Sequence, residues 1–391
     1  MSMLDEGTTD RDALEISDEL IMLGASISSG SNLDTSFVSL STLSSTLDDS
    51  LELFADIVLN PSFPEKELER LRLQLLNNIN RERQSPRAMA LRVLPQLLYG
   101  KEHAYGNPLT GSGTTESVQA ITLDEIRNFQ STWFKANHST MVVVGDTTLA
   151  EILPKLEKTF GKWGKGKTPV KNIANVDNVT QPRIYLVDRP ASEQSILFAA
   201  LLATPKANPD EIATEAMNDI IGGMSTSRIN MNLREDKGWS YGAQSGLSGA
   251  KGQRLFYIFS SVQTDKTRES IDEVMKELSS FIADNPATSE ELEKTVANNT
   301  LSLSGRWESS GAVMGSISQI VQYGLPDTYF DEYAGKVDAL TLDEVRQISK
   351  KIINPDAMTW VIVGDRMVIE KELFKLDFGE INLIDADGNP I

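Results

Sequence analysis

The sequence contains no cysteine and only two histidines, His103 and His138. The absence of thiols excludes thiol catalysis, disulfide bonds and thiolate metal sites. A protein zinc site usually takes three protein ligands, most often histidines with help from a carboxylate. Two histidines 35 positions apart therefore argue against a zinc site built by this chain alone.

Positive charge is also scarce, since 37 lysines and arginines face 56 aspartates and glutamates, which gives a net charge of −19 at pH 7. This balance argues against nucleic acid and anionic membranes as partners, because both attract basic surfaces. It is compatible with a basic peptide or protein partner, or simply with solubility. The longest apolar stretch, near residues 196–203, is far shorter than the ~20 residues of a membrane-spanning helix, so no membrane span is expected.

A pattern of a helix followed by a strand occurs twice, 219 positions apart. ITLDEIRNFQ leads into VVVGD, which contains Gly145, and LTLDEVRQIS leads into VIVGD, which contains Gly364. Thr122 and Thr341 each precede Leu-Asp-Glu, and a threonine followed three residues later by glutamate predicts a capped helix start. The repeat indicates two homologous units, in each of which a strand ends at Gly-Asp.

The polar, non-periodic stretch 164–181 predicts a linker between a first α+β unit, residues 1–163, and a second, residues 182–391. In the second unit RIYLVD, SILFAALLA and RLFYIFSSVQ predict strands. A helix is predicted from Pro209 to the glycine pair 222–223, and two more follow near 268–283 and 289–298. In the first unit TSFVSLST predicts a strand, and two helices are predicted over 47–58 and 64–80.

The first unit is expected to lack its opening. By the offset of the repeat, the counterparts of residues 183–220, which are two strands and a helix, would precede Met1. Either the sequence is a fragment of a longer polypeptide, or the first unit is incomplete in the native protein. A fragment is the preferred interpretation, because an unpartnered sheet edge and an uncovered apolar face are costly in an isolated protein.

The stretch LREDKGWSYG, residues 233–242, joins a helix to a strand and has Arg234 and Tyr241 on either side of the turn. Both residues have a purely structural interpretation. An arginine in the last turn of a helix is favoured by the helix dipole, Gly238 is an ordinary helix stop, and a tyrosine in a strand is usually half-buried. The alternative is a pair of hydrogen-bond donors belonging to an active site. Composition and spacing leave both open.

The segment IIGGMSTSRINMNLREDKGWSYGAQSG resembles the signature second-domain segment of the pitrilysin/insulinase family of zinc metallopeptidases. LLYGKEHAYGNPLTGS, the two Val-Gly-Asp strand ends and IVQYGLPDTYFDEY are similar to that family as well. The resemblance implies an α+β protein with two homologous units, each a mostly antiparallel sheet with helices on one face, as in mitochondrial processing peptidases. Two such pairs of units close around an extended peptide.

Active members of this family carry an inverted zinc motif, H-x-x-E-H, and a third ligand, a glutamate, from a later helix. Alignment on GTTDRD places the last histidine of the motif at about Ser2, with the rest before Met1. The later ligand position falls on Asn78, and Glu82 one turn on is the possible substitute. Because asparagine is a poor zinc ligand, the resemblance implies no metal ligand and no cofactor in this chain, with zinc in a partner.

In the family, the half that binds no zinc supplies an arginine and a tyrosine to the zinc half, and Arg234 and Tyr241 match their positions and spacing. The resulting hypothesis is a non-zinc-binding half or subunit that completes a peptide chamber and donates hydrogen bonds to the substrate carbonyl. Its partner would be a zinc-bearing family member or the N-terminal half of the same polypeptide, and its substrate an extended peptide. A homodimer is possible for the isolated chain. The sequence alone leaves the compartment open; the resemblance favours the bacterial periplasm, with the cytoplasm as the alternative.

Two alternatives remain. The chain could be a catalytically inert structural or binding module that retains the peptidase fold. It could also be an autonomous zinc peptidase with an unrecognised site, in which case Asn78 or Glu82 would have to bind metal.

Overall fold

The computed structural model describes the whole chain, Met1–Ile391. Its eight strands are β1 (Ser26–Ser31), β2 (Ser36–Ser41), β3 (Arg183–Asp188), β4 (Gln194–Ala203), β5 (Ser240–Leu247), β6 (Arg254–Gln263), β7 (Thr359–Gly364) and β8 (Ile381–Ile384). Its fifteen α-helices are α1 (Ala13–Leu23), α2 (Leu47–Leu59), α3 (Glu65–Glu82), α4 (Pro86–Tyr99), α5 (Thr115–Ala120), α6 (Leu123–Trp133), α7 (Leu149–Phe160), α8 (Glu211–Asn218), α9 (Arg228–Asn230), α10 (Thr267–Ile282), α11 (Ser289–Leu301), α12 (Ser310–Tyr323), α13 (Tyr329–Asp338), α14 (Leu342–Ile352) and α15 (Arg366–Leu373). Two short π-helices, Asp219–Gly223 and Met231–Asp236, continue α8 and α9. None of the helices is long and apolar enough to cross a membrane.

The chain folds into two compact units. Unit 1 comprises Met1–Ile79, Gly113–Asn172 and Glu308–Gln322, and unit 2 comprises Asn80–Ser112, Ile173–Trp307 and Tyr323–Ile391. The homologous units at 1–163 and 182–391, with their linker at 164–181, were inferred from the repeat and stay a prediction.

Unit 1 is built mainly from helices around one small antiparallel hairpin. β1 and β2 pair from Ser26 opposite Ser41 to Ser31 opposite Ser36. One face of the hairpin, with Ile27 and Val38, packs on a buried apolar cluster formed by Met3, Leu4, Ile16, Leu53, Ile57, Phe63 and Leu68. The alternation of apolar and polar residues in β2 therefore matches its half-buried position.

The predicted strand at VVVGD in unit 1 is wrong, because residues 141–146 form no strand. Its repeat counterpart, β7, lies between β4 and β3 and pairs with both. Residues 142–146 belong to neither sheet of the structure, so they form none of the ladder hydrogen bonds that define a strand. Unit 1 consequently has a two-stranded hairpin where a larger sheet was expected.

Unit 2 contains a six-stranded sheet in the order β5-β6-β4-β7-β3-β8. The pairings β5–β6, β6–β4 and β4–β7 are antiparallel, whereas β7–β3 and β3–β8 are parallel. The sheet is therefore mixed, with three antiparallel and two parallel pairings. The α+β class and the strands predicted at RIYLVD, SILFAALLA and RLFYIFSSVQ are confirmed.

The core of unit 2 lies between the sheet and a layer of helices. Phe256 and Ile258 of β6 are buried with Met217 of α8, Ile271 of α10 and Val345 of α14. On the other side of β4, Phe198 and Ala200 are also buried, and α4 packs against β4 and β7. Because β4 is buried on both sides, its sequence is a nearly continuous apolar run.

Candidate functional site

Arg234 lies in the π-helix Met231–Asp236 of unit 2. The turn closes at Gly238, whose φ of +67° lies in the left-handed region that favours glycine. The Gly238 N–H donates to the Arg234 carbonyl at 3.2 Å, so the chain reverses and enters β5 at Ser240. The Arg234 side chain is half-exposed, and its Nε lies 3.4 Å from Glu235 Oε1. A π-helix is rare and is frequently found at functional sites.

Tyr241 lies in a β-bulge at the start of β5. Ser240 is paired with Val262, and the next paired residue, Ala243, is opposite Ser260. Tyr241 and Gly242 therefore face a single residue of β6, which is the pattern of a β-bulge. The Tyr241 side chain is 89% exposed. The interpretation of Tyr241 as a half-buried core residue is wrong, because the bulge turns the side chain out to solvent.

The bulge is held by two serine hydroxyls, one from β5 and one from β6. Ser240 Oγ accepts a hydrogen bond from the Gly242 N–H at 3.0 Å, and Ser260 Oγ donates to Ser240 Oγ at 2.9 Å. Ser260 Oγ also lies 3.1 Å from the Gly242 carbonyl. These contacts replace part of the ladder that the bulge interrupts, so the exposed position of Tyr241 is stabilised by specific polar bonds.

The π-helix that carries Arg234 is anchored to α10 and packs against β5. Asn232 Nδ2 donates to Glu273 Oε2 at 2.9 Å and to Glu277 Oε1 at 2.8 Å. The hydrogen bond from Asn232 to Glu273 holds the pKa of Glu273 below its ordinary value, and the positive charge of nearby Lys237 adds to the effect. Leu233 is buried in the core. The backbone beneath Arg234 is thus fixed on two sides, while the guanidinium reaches solvent.

The other π-helix, Asp219–Gly223, approaches β5 further along the strand. A Cβ on Gly222 would lie 2.6 Å from the Cβ of Ser245, so only glycine allows this packing. Asp219 accepts a hydrogen bond from Asn299 Nδ2 at 3.0 Å. Burial raises the pKa of Asp219 to about 6, and the charge of Glu215 adds to the shift against the opposing effect of the Asn299 hydrogen bond.

The residues present do not fit the zinc site that active members of the family carry. No group of three or more His, Cys, Asp or Glu side chains is arranged to hold a metal ion. Asn78 lies half-buried in α3. The Glu82 carboxylate already binds two other groups. Its Oε2 accepts a hydrogen bond from Arg92 Nη1 at 2.7 Å and another from Ser112 Oγ at 2.6 Å.

The two histidines are in different local settings. His103 Nδ1 accepts from the Tyr105 N–H at 3.0 Å, and its Nε2 lies 2.9 Å from the Ala174 carbonyl oxygen. Both ring nitrogens of His103 are therefore engaged with backbone groups, as expected of a turn residue. His138 ends a 3₁₀ turn in unit 1.

Sequence reasoning located Arg234 and Tyr241 but missed the elements that present them. It predicted a helix closing on glycine and a strand beginning with an aromatic residue, without the π-helix or the bulge. It also did not single out Asn230, Asn232 or Ser260, which hold the two segments. The small polar residues around Tyr241 in WSYGAQS were the available signal, because a glycine within a strand often marks a bulge.

Two family models match the chain. The model for “Insulinase (Peptidase family M16)” matches residues 2–113, and the model for “Peptidase M16 inactive domain” matches residues 120–299. The second match includes the π-helix of Arg234 and the bulge of Tyr241.

Individual relatives and a solved structure agree with these models. An uncharacterized zinc protease of Streptomyces coelicolor is 21% identical over 90% of this chain and 76% of its own length. A Helicobacter pylori protein named a non-peptidase homolog is 20% identical over 93% of this chain and 83% of its own length. The crystal structure of a peptidase M16 inactive domain from Pseudomonas fluorescens has a TM-score of 0.86 and 25% identity, covering 93% of this chain and 86% of that one. The chain therefore belongs to the M16 (insulinase/pitrilysin) family, with an N-terminal M16 segment followed by an M16 inactive domain.

Proposed function

We propose that this chain is the half or subunit of an M16 peptidase that binds no zinc itself. It completes a chamber for an extended peptide and supplies Arg234 and Tyr241 to the active site of a zinc-bearing partner. That partner is a second family member or the N-terminal half of the same polypeptide. On this proposal the two homologous units of the repeat are residues 1–163 and 182–391, joined by the linker 164–181.

The exposed position of Tyr241 is the observation that supports this proposal most strongly. Leaving an aromatic side chain 89% exposed gives up the free energy of burying it, roughly 1.5–3 kcal/mol for a large apolar side chain. The bulge that produces this exposure is built from specific hydrogen bonds. Bulges of this kind are common next to active sites, where they re-aim a side chain.

The chemistry of the pair suits peptide hydrolysis. Attack on a peptide carbonyl places negative charge on its oxygen, and a guanidinium and a phenol are both good donors to such an oxygen. Arg234 is half-exposed, with one weak contact to the neighbouring Glu235 at 3.4 Å, so its guanidinium can rotate toward a substrate.

A reconstitution experiment tests the proposal. The chain is purified alone and mixed with an M16 protein of the same organism that carries H-x-x-E-H, and cleavage of fluorescein-labelled casein is followed. We expect no cleavage by the chain alone, and cleavage by the mixture well above that of the partner with an equal amount of serum albumin. Chelator-sensitive cleavage by the chain alone, or an absence of stimulation, would contradict the proposal.

A catalytically inert binding or structural module is the second candidate. It is favoured by the similarity to the Helicobacter pylori non-peptidase homolog. On this alternative the chain would bind a partner stably, and the mixture would cleave casein no faster than the partner alone. The same reconstitution experiment therefore separates the two functions.

A further inference from the structure

The buried side chain of Asn230 links the segment of Arg234 to the segment of Tyr241. Asn230 is 5% exposed and lies directly before the π-helix that carries Arg234. Its Nδ2 donates to the Ser225 carbonyl at 2.6 Å. Its Oδ1 accepts from the backbone N–H of Ala243 at 3.1 Å. One amide therefore bonds to both sides of the turn.

The bond to β5 falls at the end of the bulge. Ala243 is the residue at which β5 resumes its pairing with β6, opposite Ser260. A Cβ on Gly242 would lie 3.9 Å from Asn230 Oδ1, so the bulge passes directly beside this amide. Ser260 holds the bulge from the β6 side through Ser240 of β5 and the Gly242 carbonyl, and Asn230 holds it from the helix side.

Asparagine fits this position through its chemistry. Its amide presents a donor and an acceptor on one short, planar group, and both are used. Alanine would leave a buried N–H and a buried carbonyl without these bonds, which destabilises the folded arrangement because neither group regains its hydrogen bond to water. Aspartate would keep an acceptor for Ala243 but could not donate to Ser225 when ionised.

We propose that Asn230 is a positioning residue that fixes the bulge carrying Tyr241 relative to the π-helix carrying Arg234. This inference rests on the proposed function, since it gives Asn230 its role through those two side chains. Asn230 does not itself touch substrate. It sets the geometry of the bulge, and through the bulge the direction in which Tyr241 points.

The first test uses the isolated chain with 3-fluorotyrosine at position 241. Hydrogen exchange of the Ala243 amide and the fluorine resonance at position 241 are compared in the wild type, Asn230→Ala and Asn230→Asp. We expect exchange at Ala243 to accelerate about tenfold or more in Asn230→Ala, as loss of one buried hydrogen bond implies, and the resonance to shift or broaden. Asn230→Asp should restore most of the protection at Ala243, because it keeps the acceptor.

Asn218→Ala is the matched control. Asn218 Oδ1 also links a helix to β5, by accepting from Ser245 Oγ at 2.9 Å, but at a position beyond the bulge. It should leave the Ala243 amide and the Tyr241 resonance unchanged. Unchanged exchange and resonance in both Asn230 variants would overturn the inference.

The second test is a double-mutant cycle on casein cleavage by the reconstituted mixture. We expect Asn230→Ala to lower kcat with little change in KM, and to have little further effect in a Tyr241→Phe background, because residues that act through one group are not additive. Full additivity would overturn the positioning role. Wild-type cleavage by Tyr241→Phe would instead show that the proposed function fails, while the exchange data still report whether Asn230 holds the bulge.

Discussion

Arg92 and Asp387, 295 positions apart in the chain, form an ion pair in which Arg92 Nη2 lies 2.8 Å from Asp387 Oδ1. Only 1% of the Arg92 side chain is exposed. The same guanidinium also binds Glu82, and Gln96 Nε2 donates to the Asp387 carbonyl at 2.7 Å. The C-terminal turn is therefore fastened to α4 within unit 2.

We expect Asp387→Ala to lower the free energy of unfolding by about 2 kcal/mol, since it removes a charge-assisted hydrogen bond from a buried guanidinium. Urea unfolding followed by circular dichroism measures the change. Asp124→Ala is the control, because Asp124 is 96% exposed and lies 3.5 Å from Arg127. Exposed ion pairs of this kind contribute little to the free energy of unfolding. Equal unfolding midpoints for Asp387→Ala and wild type would contradict this account of the turn.

The carboxyl of Asp219 predicts a specific pH dependence. Its pKa is raised from 3.8 to about 6 in the folded chain, so the protonated form favours folding. This contribution to stability is complete below about pH 4 and is lost as the pH rises through about 6. Asp219→Asn should unfold like the wild type near pH 4 and be more stable by roughly 1–3 kcal/mol at pH 7.5.

Urea unfolding at several pH values between 4 and 7.5 measures this difference. Asp124→Asn serves as the control and should follow the wild-type profile, because its carboxylate is 96% exposed. If the free energy of unfolding changes with pH in the same way for Asp219→Asn and wild type, Asp219 does not cause the pH dependence.

The close packing of Gly222 on β5 gives a third prediction. Gly222→Ala places a methyl group 2.6 Å from Ser245 Cβ, which forces β5 or the π-helix to move. We expect a loss of stability of about 1–3 kcal/mol, typical of overpacking, measured by thermal or urea unfolding. Gly335→Ala in α13 is the matched control, since its added methyl group meets nothing within 4 Å. Gly335→Ala should be neutral or slightly stabilising.

The side chains present predict weak metal binding by the isolated chain. Equilibrium dialysis against zinc, after treatment with a chelator, should leave less than one tightly bound zinc ion per chain. Stoichiometric zinc that is lost in Asn78→Ala or Glu82→Gln would instead support an autonomous metal site. Glu82→Gln alone should also weaken the fold, because Glu82 accepts hydrogen bonds from Arg92 and Ser112.

Local signals in the sequence predicted much of the secondary structure. The capping boxes at Thr122 and Thr341 are present in the structure, with Glu125 and Glu344 as their partners. β6 has the bounds that the RLFYIFSSVQ pattern suggested. These features depend on neighbours a few residues apart, so a sequence pattern carries them.

Features that depend on distant contacts were not predictable in the same way. VVVGD has strand-forming residues, but a strand also needs a paired neighbour, and residues 142–146 pair with no strand in the structure. The helix predicted from Pro209 to Gly223 changes to a π-helix at Asp219, where Gly222 packs against Ser245. The exposure of Tyr241 follows from a bulge whose serines lie on two strands. Strict alternation along β5 would have placed the Tyr241 side chain on the buried face, with Ala243 and Ser245.

The rate of cleavage by the mixture containing Tyr241→Phe tests the central claim most directly. The phenol is expected to donate to the substrate carbonyl, and removing one such donor costs about 10²–10³ in kcat. Tyr185→Phe is the control, because Tyr185 lies on β3, four strands from β5 in the sheet. The account predicts a loss of kcat of that order with KM little changed for Tyr241→Phe and none for Tyr185→Phe. Equal kcat values for Tyr241→Phe and wild type would contradict it.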